Sequence, residues 1–151
     1  MDTDVNGLEM LSRAEATALL ETKEVGRLVY TRRALPAVLP ISYALREGKI
    51  WIWAGSTWSL TQALRGAVVA FEVDELDYVT HSGWTVTATG LAQVVTDQAQ
   101  LTRARAQGPT PWAPGLKEHL VQIPLTMVIG WWLGAGPRAV AGLGDHTATR
   151  L

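Results

Sequence analysis

The sequence contains no cysteine, which excludes disulfide bonds, thiolate metal sites and a cysteine nucleophile. Charged residues are also few, at 18%, and the net charge is −1 without any basic block, so we expect neither nucleic acid nor a membrane as a partner. No apolar run is long enough to cross a bilayer, and the first residues are acidic and polar, unlike a signal peptide. These absences predict a cytoplasmic protein.

Tryptophan is the residue that stands out among those present, with seven copies beside a single phenylalanine. The chain has 151 residues, of which 48% are hydrophobic, enough for one domain with a real core. Clustered tryptophans line either a core or a ligand pocket, because each combines a large apolar area with one hydrogen-bond donor. We expect the domain to span residues 1–133 and a flexible tail rich in Gly and Ala to span 134–151.

Local patterns predict short helices between strands. Ser12 and Glu15 fit a capping box that starts a first helix. In "WIWAGSTWSLTQALRG", a strand that carries Trp51 and Trp53 on one face runs into a turn, and Ser56 or Thr57 can cap the helix that follows it. The order of elements is a helix, a three-strand meander, a short helix, two strands, a helix and a last strand region. This order favours a mostly β (α+β) fold, a closed antiparallel barrel of about six strands with flanking short helices.

Three details of the strands carry further expectations. Pro40 in "PAVLPISYAL" suggests an edge strand or a bulge, and Gly90 in "WTVTATGLAQVV" suggests a bulge. The neighbours Trp131 and Trp132 must point to opposite faces of a regular strand, so we expect at most one of them in a ligand site.

The segments "VGRLVYTRRALPAVLPISYAL", "ALRGAVVAFEVDELD" and "SGWTVTATGLAQVV" resemble, in this order, the pyridoxamine 5'-phosphate oxidase-like FMN-binding split-barrel family, and most closely its small single-domain actinobacterial members. The resemblance covers residues 11–129. It implies a split β-barrel and a homodimer with two flavin sites in clefts between the subunits. It also implies that the strand with Leu39, Pro40, Ile41 and Ser42 runs beside the flavin ring, and that the turn before the short helix holds the FMN phosphate.

The sequence departs from the family pattern where the phosphate is bound. The family's basic residue in the turn appears here as Ser59, the usual Arg after "VTG" is Leu91, and a basic pair near the end of the last strand is Trp131–Trp132. A phosphate dianion that leaves water needs charge-assisted donors, and a bare helix N-terminus replaces them poorly. We therefore predict low affinity for FMN and a ligand site with these contact residues: Leu39, Pro40, Ile41, Ser42, Trp53, Ser56, Thr57, Trp58, Ser59, Leu91 and Trp131.

Other candidate catalytic residues are sparse. Asp77, Tyr78 and His81 share one acidic loop that could supply a general acid or base, although a solvated turn is the simpler interpretation. His119 and His146 are isolated and no pair has metal-ligand spacing, so we expect no metal site.

Three classes of function fit these observations. The preferred one is a homodimeric, cofactor-independent biosynthetic enzyme of cyclase or isomerase type that binds an apolar or aromatic small molecule. The first alternative is an FMN- or deazaflavin-dependent oxidoreductase that holds the phosphate with backbone N–H groups, Ser56, Thr57 and Ser59. The second alternative is a non-catalytic ligand-binding dimer.

Overall fold

The computed structural model describes residues 8–54, 58–112 and 118–134, without the side chains of Trp58 and Ser59. The helices are α1 (Arg13–Leu20), α2 (Trp58–Leu64) and α3 (Gln98–Gln107). The strands are β1 (Glu9–Met10), β2 (Val25–Arg32), β3 (Leu35–Ser42), β4 (Ala44–Arg46), β5 (Lys49–Ala54), β6 (Val68–Asp77), β7 (Ser82–Leu91), β8 (Gln93–Val94), β9 (His119–Pro124) and β10 (Met127–Leu133). The predicted tail after Gly134 lies outside the described residues, as do Ser56 and Thr57.

The strands form two antiparallel sheets, which confirms the mostly β, α+β class. The larger sheet has six strands in the order β1-β10-β7-β6-β2-β3, and the smaller has four in the order β4-β5-β9-β8. The two sheets are consistent with the predicted split β-barrel and its flanking short helices. The barrel is not closed, and the described residues contain ten strands where about six were expected. β3 is an edge strand of the larger sheet, as Pro40 suggested.

The chain passes from one sheet to the other at Tyr43. Ser42 is the last residue of β3 and pairs with Val25 of β2, whereas Ala44 begins β4 and pairs with Trp51 of β5. Between them, the N–H of Tyr43 donates to the carbonyl oxygen of Glu24 at 3.0 Å. A single apolar stretch of sequence therefore supplies edge strands to both sheets.

Side chains cap the N-termini of α1 and α3, and the capping box predicted for α1 is confirmed. The N–H of Glu15 donates to Ser12 Oγ at 3.1 Å, and the N–H of Ser12 donates to Glu15 Oε1 at 3.3 Å, which completes the capping box of α1. Asp97 caps α3 by accepting a hydrogen bond of 2.9 Å from the N–H of Ala99. These local contacts fix where each helix begins.

The main core lies between the inner face of the larger sheet and the smaller sheet. Its largest fully buried side chains include Trp84, Phe71 and Leu28 from the larger sheet and Ile50 and Ile52 from the smaller. The tight packing leaves no room for a side chain at some positions, as Gly90 shows.

The bulge expected at Gly90 is absent, because Gly90 pairs in regular register with Val69. A Cβ atom there would lie 2.2 Å from the carbonyl oxygen of Pro124. This glycine therefore permits a close backbone approach of β7 to the end of β9.

Candidate functional site

The strand that the family resemblance places beside a ligand, β3, turns its residues to two different faces. Residues paired directly across a sheet share a face. Leu39 pairs with the core residue Leu28, and Ile41 pairs with Gly26 and packs against the core. Pro40 is paired with Arg27 and is exposed on the opposite face. Ser42 is half-buried at the end of the strand.

Trp53 lies beneath α3 and away from the main core. As predicted, Trp51 and Trp53 share one face of β5, and they are 2% and 6% exposed. They pack with Leu101 and Ala104 of α3 and with Leu120 of β9 in a second, smaller cluster. The opposite face of β5 carries Ile50 and Ile52 into the main core.

The predicted group of tryptophans does not line one pocket within a single chain. Trp132 is buried in the main core, while Trp131 is half-buried on the opposite face of β10, which confirms that the two point to opposite sides. Trp51 and Trp53 belong to the other sheet. The backbone of Trp58 begins α2, but its side chain lies outside the described residues. Ligand contact by Trp53, Trp58 and Trp131 stays a prediction.

Leu91, where the family resemblance implies an arginine, lies in an apolar corner of the larger sheet. Its side chain is 45% exposed, and it pairs with Val68, which is 69% exposed. Met127, which is 55% exposed, pairs with Thr89 in the same corner. The described strands β6, β7 and β10 contain no Lys or Arg. These side chains offer apolar atoms where a phosphate would need charged donors, so they do not fit the phosphate of FMN.

The structure brings α2 next to this corner. The N–H of Ala92 donates to the carbonyl oxygen of Ala67 at 2.8 Å, and the N–H of Gly66 donates to that of Ala92 at 3.2 Å. The end of α2 is therefore fastened to the residue that follows Leu91. Since α2 has seven residues, its N-terminus lies roughly 10 Å from its C-terminal end.

The corner is part of a larger apolar surface, which we call the outer face. It is the side of the larger sheet opposite the main core, and the pairing register places all its members on that side. Seven of its apolar side chains are between 39% and 69% exposed: Met10, Val38, Val68, Leu76, Leu91, Met127 and Ile129. A surface of this kind is typical of an interaction site.

A charged network occupies the middle of the outer face, and the sequence analysis missed it. Arg27 Nη1 contacts Glu72 Oε2 at 3.1 Å and Asp74 Oδ2 at 2.6 Å, and Thr85 Oγ1 donates to Glu72 Oε1 at 3.0 Å. Burial and a hydrogen bond with Asp74 raise the pKa of Glu72, against the opposing effects of Thr85 and Arg27. One guanidinium thus serves two carboxylates. Glu72 and Asp74 are two residues apart on one strand, which places both carboxylates on the same face. This spacing was the signal in the sequence from which the network could have been predicted.

The candidate acid–base residues Asp77, Tyr78 and His81 lie at the other end of the larger sheet. Asp77 pairs with Ser82 at the β6–β7 hairpin, nine pairs along from Leu91, which corresponds to roughly 30 Å. The carboxylate of Asp77 accepts hydrogen bonds from the backbone N–H groups of Thr80, at 3.1 Å, and of Val79, at 2.8 Å, which lower its pKa. Tyr78 is 85% exposed. This geometry is that of a solvated turn, and it does not join these residues to the rest of the candidate site.

Within the described residues, no group of three or more His, Cys, Asp or Glu side chains is arranged to hold a metal ion. None of the helices in that part of the chain has the length and apolar character to span a membrane.

Known proteins are similar to this chain in sequence and in fold. The family model described as pyridoxamine 5'-phosphate oxidase matches residues 12–130. An uncharacterized protein of Mycobacterium tuberculosis is 36% identical over 125 residues, which cover 80% of this chain and 82% of that protein.

Two solved structures are similar to this chain in fold as well as in sequence. A protein from Mycobacterium smegmatis named as FAD-binding is 28% identical with a TM-score of 0.68, covering 83% of this chain and 98% of that one. A protein from Corynebacterium glutamicum named for the same oxidase family is 25% identical with a TM-score of 0.72, covering 91% of this chain and 99% of that one. Together with the two-sheet fold, the match over residues 12–130 shows that this chain belongs to the pyridoxamine 5'-phosphate oxidase family.

Proposed function

We propose that the protein is a homodimer that binds a planar aromatic or otherwise apolar small molecule in a cleft completed by the second subunit. The apolar corner around Leu91 carries the proposal, since the family resemblance implies a basic phosphate contact at this position and exposed apolar side chains surround it here. Recognition then depends on stacking and apolar burial and not on a phosphate anchor.

The outer face supports the homodimer. Seven exposed apolar side chains on one side of a sheet form a surface that association would remove from water. In a two-fold dimer the same patch meets itself, so each apolar contact is made twice. A ligand cleft at the rim of such an interface would take residues from both subunits.

The reaction class follows from what surrounds the corner. Asp77, Tyr78 and His81 lie roughly 30 Å from Leu91 along the strands of the same subunit, so they give no acid–base chemistry there within one chain. The shape of the cleft could still catalyse a reaction. An apolar cavity that restricts a flexible substrate to its reactive conformation lowers the entropic part of the barrier. We therefore propose a cofactor-independent enzyme of the cyclase or isomerase type.

A second candidate function is a flavin- or deazaflavin-dependent oxidoreductase. It is supported by the similar structure from Mycobacterium smegmatis that is named as FAD-binding. Arg65 is exposed just after α2 and only three residues before Val68, so it is the cation of this chain nearest in sequence to the apolar corner. In this case a bound flavin would supply the redox chemistry, and the protein would bind and orient it.

The two candidates differ in how strongly binding depends on phosphate. The experiment is a titration of the purified dimer with riboflavin, FMN and FAD, after its visible absorbance spectrum has been recorded. The first candidate predicts no copurified flavin and affinities for riboflavin and FMN that agree within a few-fold, because the phosphate finds no charged partner. Stoichiometric copurified flavin, or FMN binding more than about tenfold tighter than riboflavin, would support the oxidoreductase instead.

A double substitution that introduces two cations tests the same point, and Leu91→Met is its matched control. Leu91→Arg together with Ser59→Lys is expected to raise the affinity for FMN by about tenfold or more, since a hydrogen bond to a charged group contributes about 1.5–3 kcal/mol. The affinity for riboflavin should stay the same. Leu91→Met, which preserves the apolar character, should change neither affinity.

A further inference from the structure

A cavity of about 730 Å³ opens where three segments of the chain meet. It lies between the end of α1 with the loop to β2, the β3–β4 junction, and the segment that follows α3. Its volume is in the range of small-molecule sites. We propose that this cavity is a second ligand site, which binds a small aromatic zwitterion, a molecule with a planar ring, an ammonium group and a carboxylate.

The floor of the cavity is fixed by buried contacts. Tyr43 is 4% exposed, its hydroxyl donates to the carbonyl oxygen of Leu20, and its ring meets that of Phe71 edge-on with centroids 4.9 Å apart. Desolvation of this buried phenol raises its pKa, so the hydroxyl stays a donor at every physiological pH. The strand junction and the end of α1 therefore keep a fixed distance.

The third wall follows directly from α3, which contacts the β4–β5 hairpin. The N–H of Gly108 donates to the carbonyl oxygen of Ala104 at 2.7 Å, and the next residue, Pro109, is buried. Arg103 of α3 forms an ion pair of 3.5 Å with Glu47 in the β4–β5 hairpin. The helix that leads into the segment with Trp112 is thus paired with the hairpin next to Arg46.

The indole of Trp112 favours a ligand with a planar aromatic ring. This side chain lines the cavity and is 77% exposed, whereas the other tryptophan side chains in the described part of the chain are buried or half-buried. An exposed indole at the mouth of a cavity offers a flat apolar surface on which an aromatic ring can stack.

The charged side chains of the cavity favour a ligand that also carries a carboxylate and an ammonium group. Arg46 Nη1 donates to the carbonyl oxygen of Leu45 at 3.0 Å, and Arg46 makes no ion pair with the described residues. Glu21 and Glu24 also line the cavity without an ion pair in that part of the chain. A guanidinium suits a carboxylate, and the two glutamates suit an ammonium group. A ligand of one charge would face repulsion from one of these groups.

The cavity is separate from the candidate site at Leu91. Leu45 and Arg46 line it at the β4–β5 hairpin, next to the start of β5. The helix α2 follows the other end of β5, beyond Ala54, about 17 Å away along the strand. Ser42 is the one residue that lines the cavity and also belongs to the predicted ligand contacts. The inference therefore does not depend on the proposed function.

The probe for this inference is L-phenylalanine, titrated into the full chain by calorimetry. Two analogues each lack one charge: 3-phenylpropionate has no ammonium group and phenethylamine has no carboxylate. We expect L-phenylalanine to bind and both analogues to bind about tenfold more weakly. Trp112→Ala and Arg46→Gln should each lower the affinity about fivefold or more.

Matched controls separate the cavity from the surface in general. Tyr78→Ala removes an exposed aromatic ring and Arg32→Gln an exposed guanidinium, both far from the cavity lining, and neither should change the affinity. Circular dichroism verifies that each variant is folded. Absence of binding by L-phenylalanine, equal binding by both analogues, or equal loss in the controls would overturn the proposal. Displacement of L-phenylalanine by riboflavin would also overturn it, since the cavity would then be part of the candidate site.

Discussion

Replacing Ile129 by Glu tests whether the outer face is a dimer interface. Ile129 is in the middle of β10, pairs with Thr87 and is 39% exposed, so the substitution leaves the main core untouched. Complete burial of an isoleucine side chain contributes about 1.5–3 kcal/mol, so burial of the exposed fraction contributes about 0.6–1.2 kcal/mol per subunit. Two-fold symmetry doubles this to about 1.2–2.4 kcal/mol, or roughly an eightfold to sixtyfold change in the dimer dissociation constant.

The charge of the new side chain acts in the same direction. A carboxylate at position 129 would be desolvated at the interface, on a face where Glu72 and Asp74 already outnumber Arg27. The dimer dissociation constant of Ile129→Glu should therefore exceed that of the wild type by at least tenfold. Sedimentation velocity over a range of concentrations measures this constant.

The control is Val79→Glu, which introduces the same charge at a residue that is 91% exposed in the β6–β7 turn. It should dimerise like the wild type. A wild-type protein that is monomeric at micromolar concentration would refute the reasoning. So would an Ile129→Glu variant that is folded and dimerises as tightly as Val79→Glu.

Three further variants probe stability and the ligand site. Tyr43→Phe should lower the free energy of unfolding by about 1–3 kcal/mol, because it leaves the Leu20 carbonyl without its partner; urea denaturation measures this, and an equal loss in Tyr30→Phe would contradict it. The pKa of Glu72 is raised in the folded state, so stability should fall as pH rises from about 4.3 towards that raised value. Glu72→Gln should lack this part of the pH dependence in thermal melts, and an unchanged slope would exclude the assignment. Trp58→Ala should abolish ligand binding with little change in melting temperature; a loss of about 3–5 kcal/mol in stability would make Trp58 a core residue.

Local signals in the sequence predicted where the first helix starts and which side chains of a strand point to the same face. The capping box of Ser12 and Glu15 depends on residues three apart, and the opposite directions of Trp131 and Trp132 follow from the geometry of one strand. Neither needs knowledge of distant contacts. For this reason both predictions were confirmed.

The environment of Trp51 and Trp53 could not be predicted in the same way. The alternation in "KIWIWA" places the two indoles on one face of β5, but the other face carries Ile50 and Ile52 and is equally apolar. Hydrophobicity therefore does not tell which face meets the main core and which meets α3. The answer depends on long-range packing, in which the smaller isoleucine side chains fill the space between the sheets and the indoles contact Leu101.

The division into two sheets depends on a long-range contact as well. "PAVLPISYAL" has the pattern of a single strand, and nothing in it marks Tyr43 as the residue where the chain changes sheets. The change is visible only through the partners, which are β2 on one side and β5 on the other. The sequence pattern counted this stretch as one strand, which is part of why it predicted fewer strands than the fold contains.

Leu91 combines the two roles that the structure suggests for the outer face, and one variant can separate them. The family resemblance supplied the position, and the structure supplied its apolar surroundings, with Val68 opposite and Met127 nearby. If Leu91 is in the interface, Leu91→Arg introduces a buried charge and raises the dimer dissociation constant. If Leu91 lines the ligand cleft, the dimer persists and the new guanidinium strengthens FMN binding over riboflavin binding. A variant that dimerises normally and binds FMN no better than riboflavin would remove Leu91 from both roles and leave the proposed site without its main support.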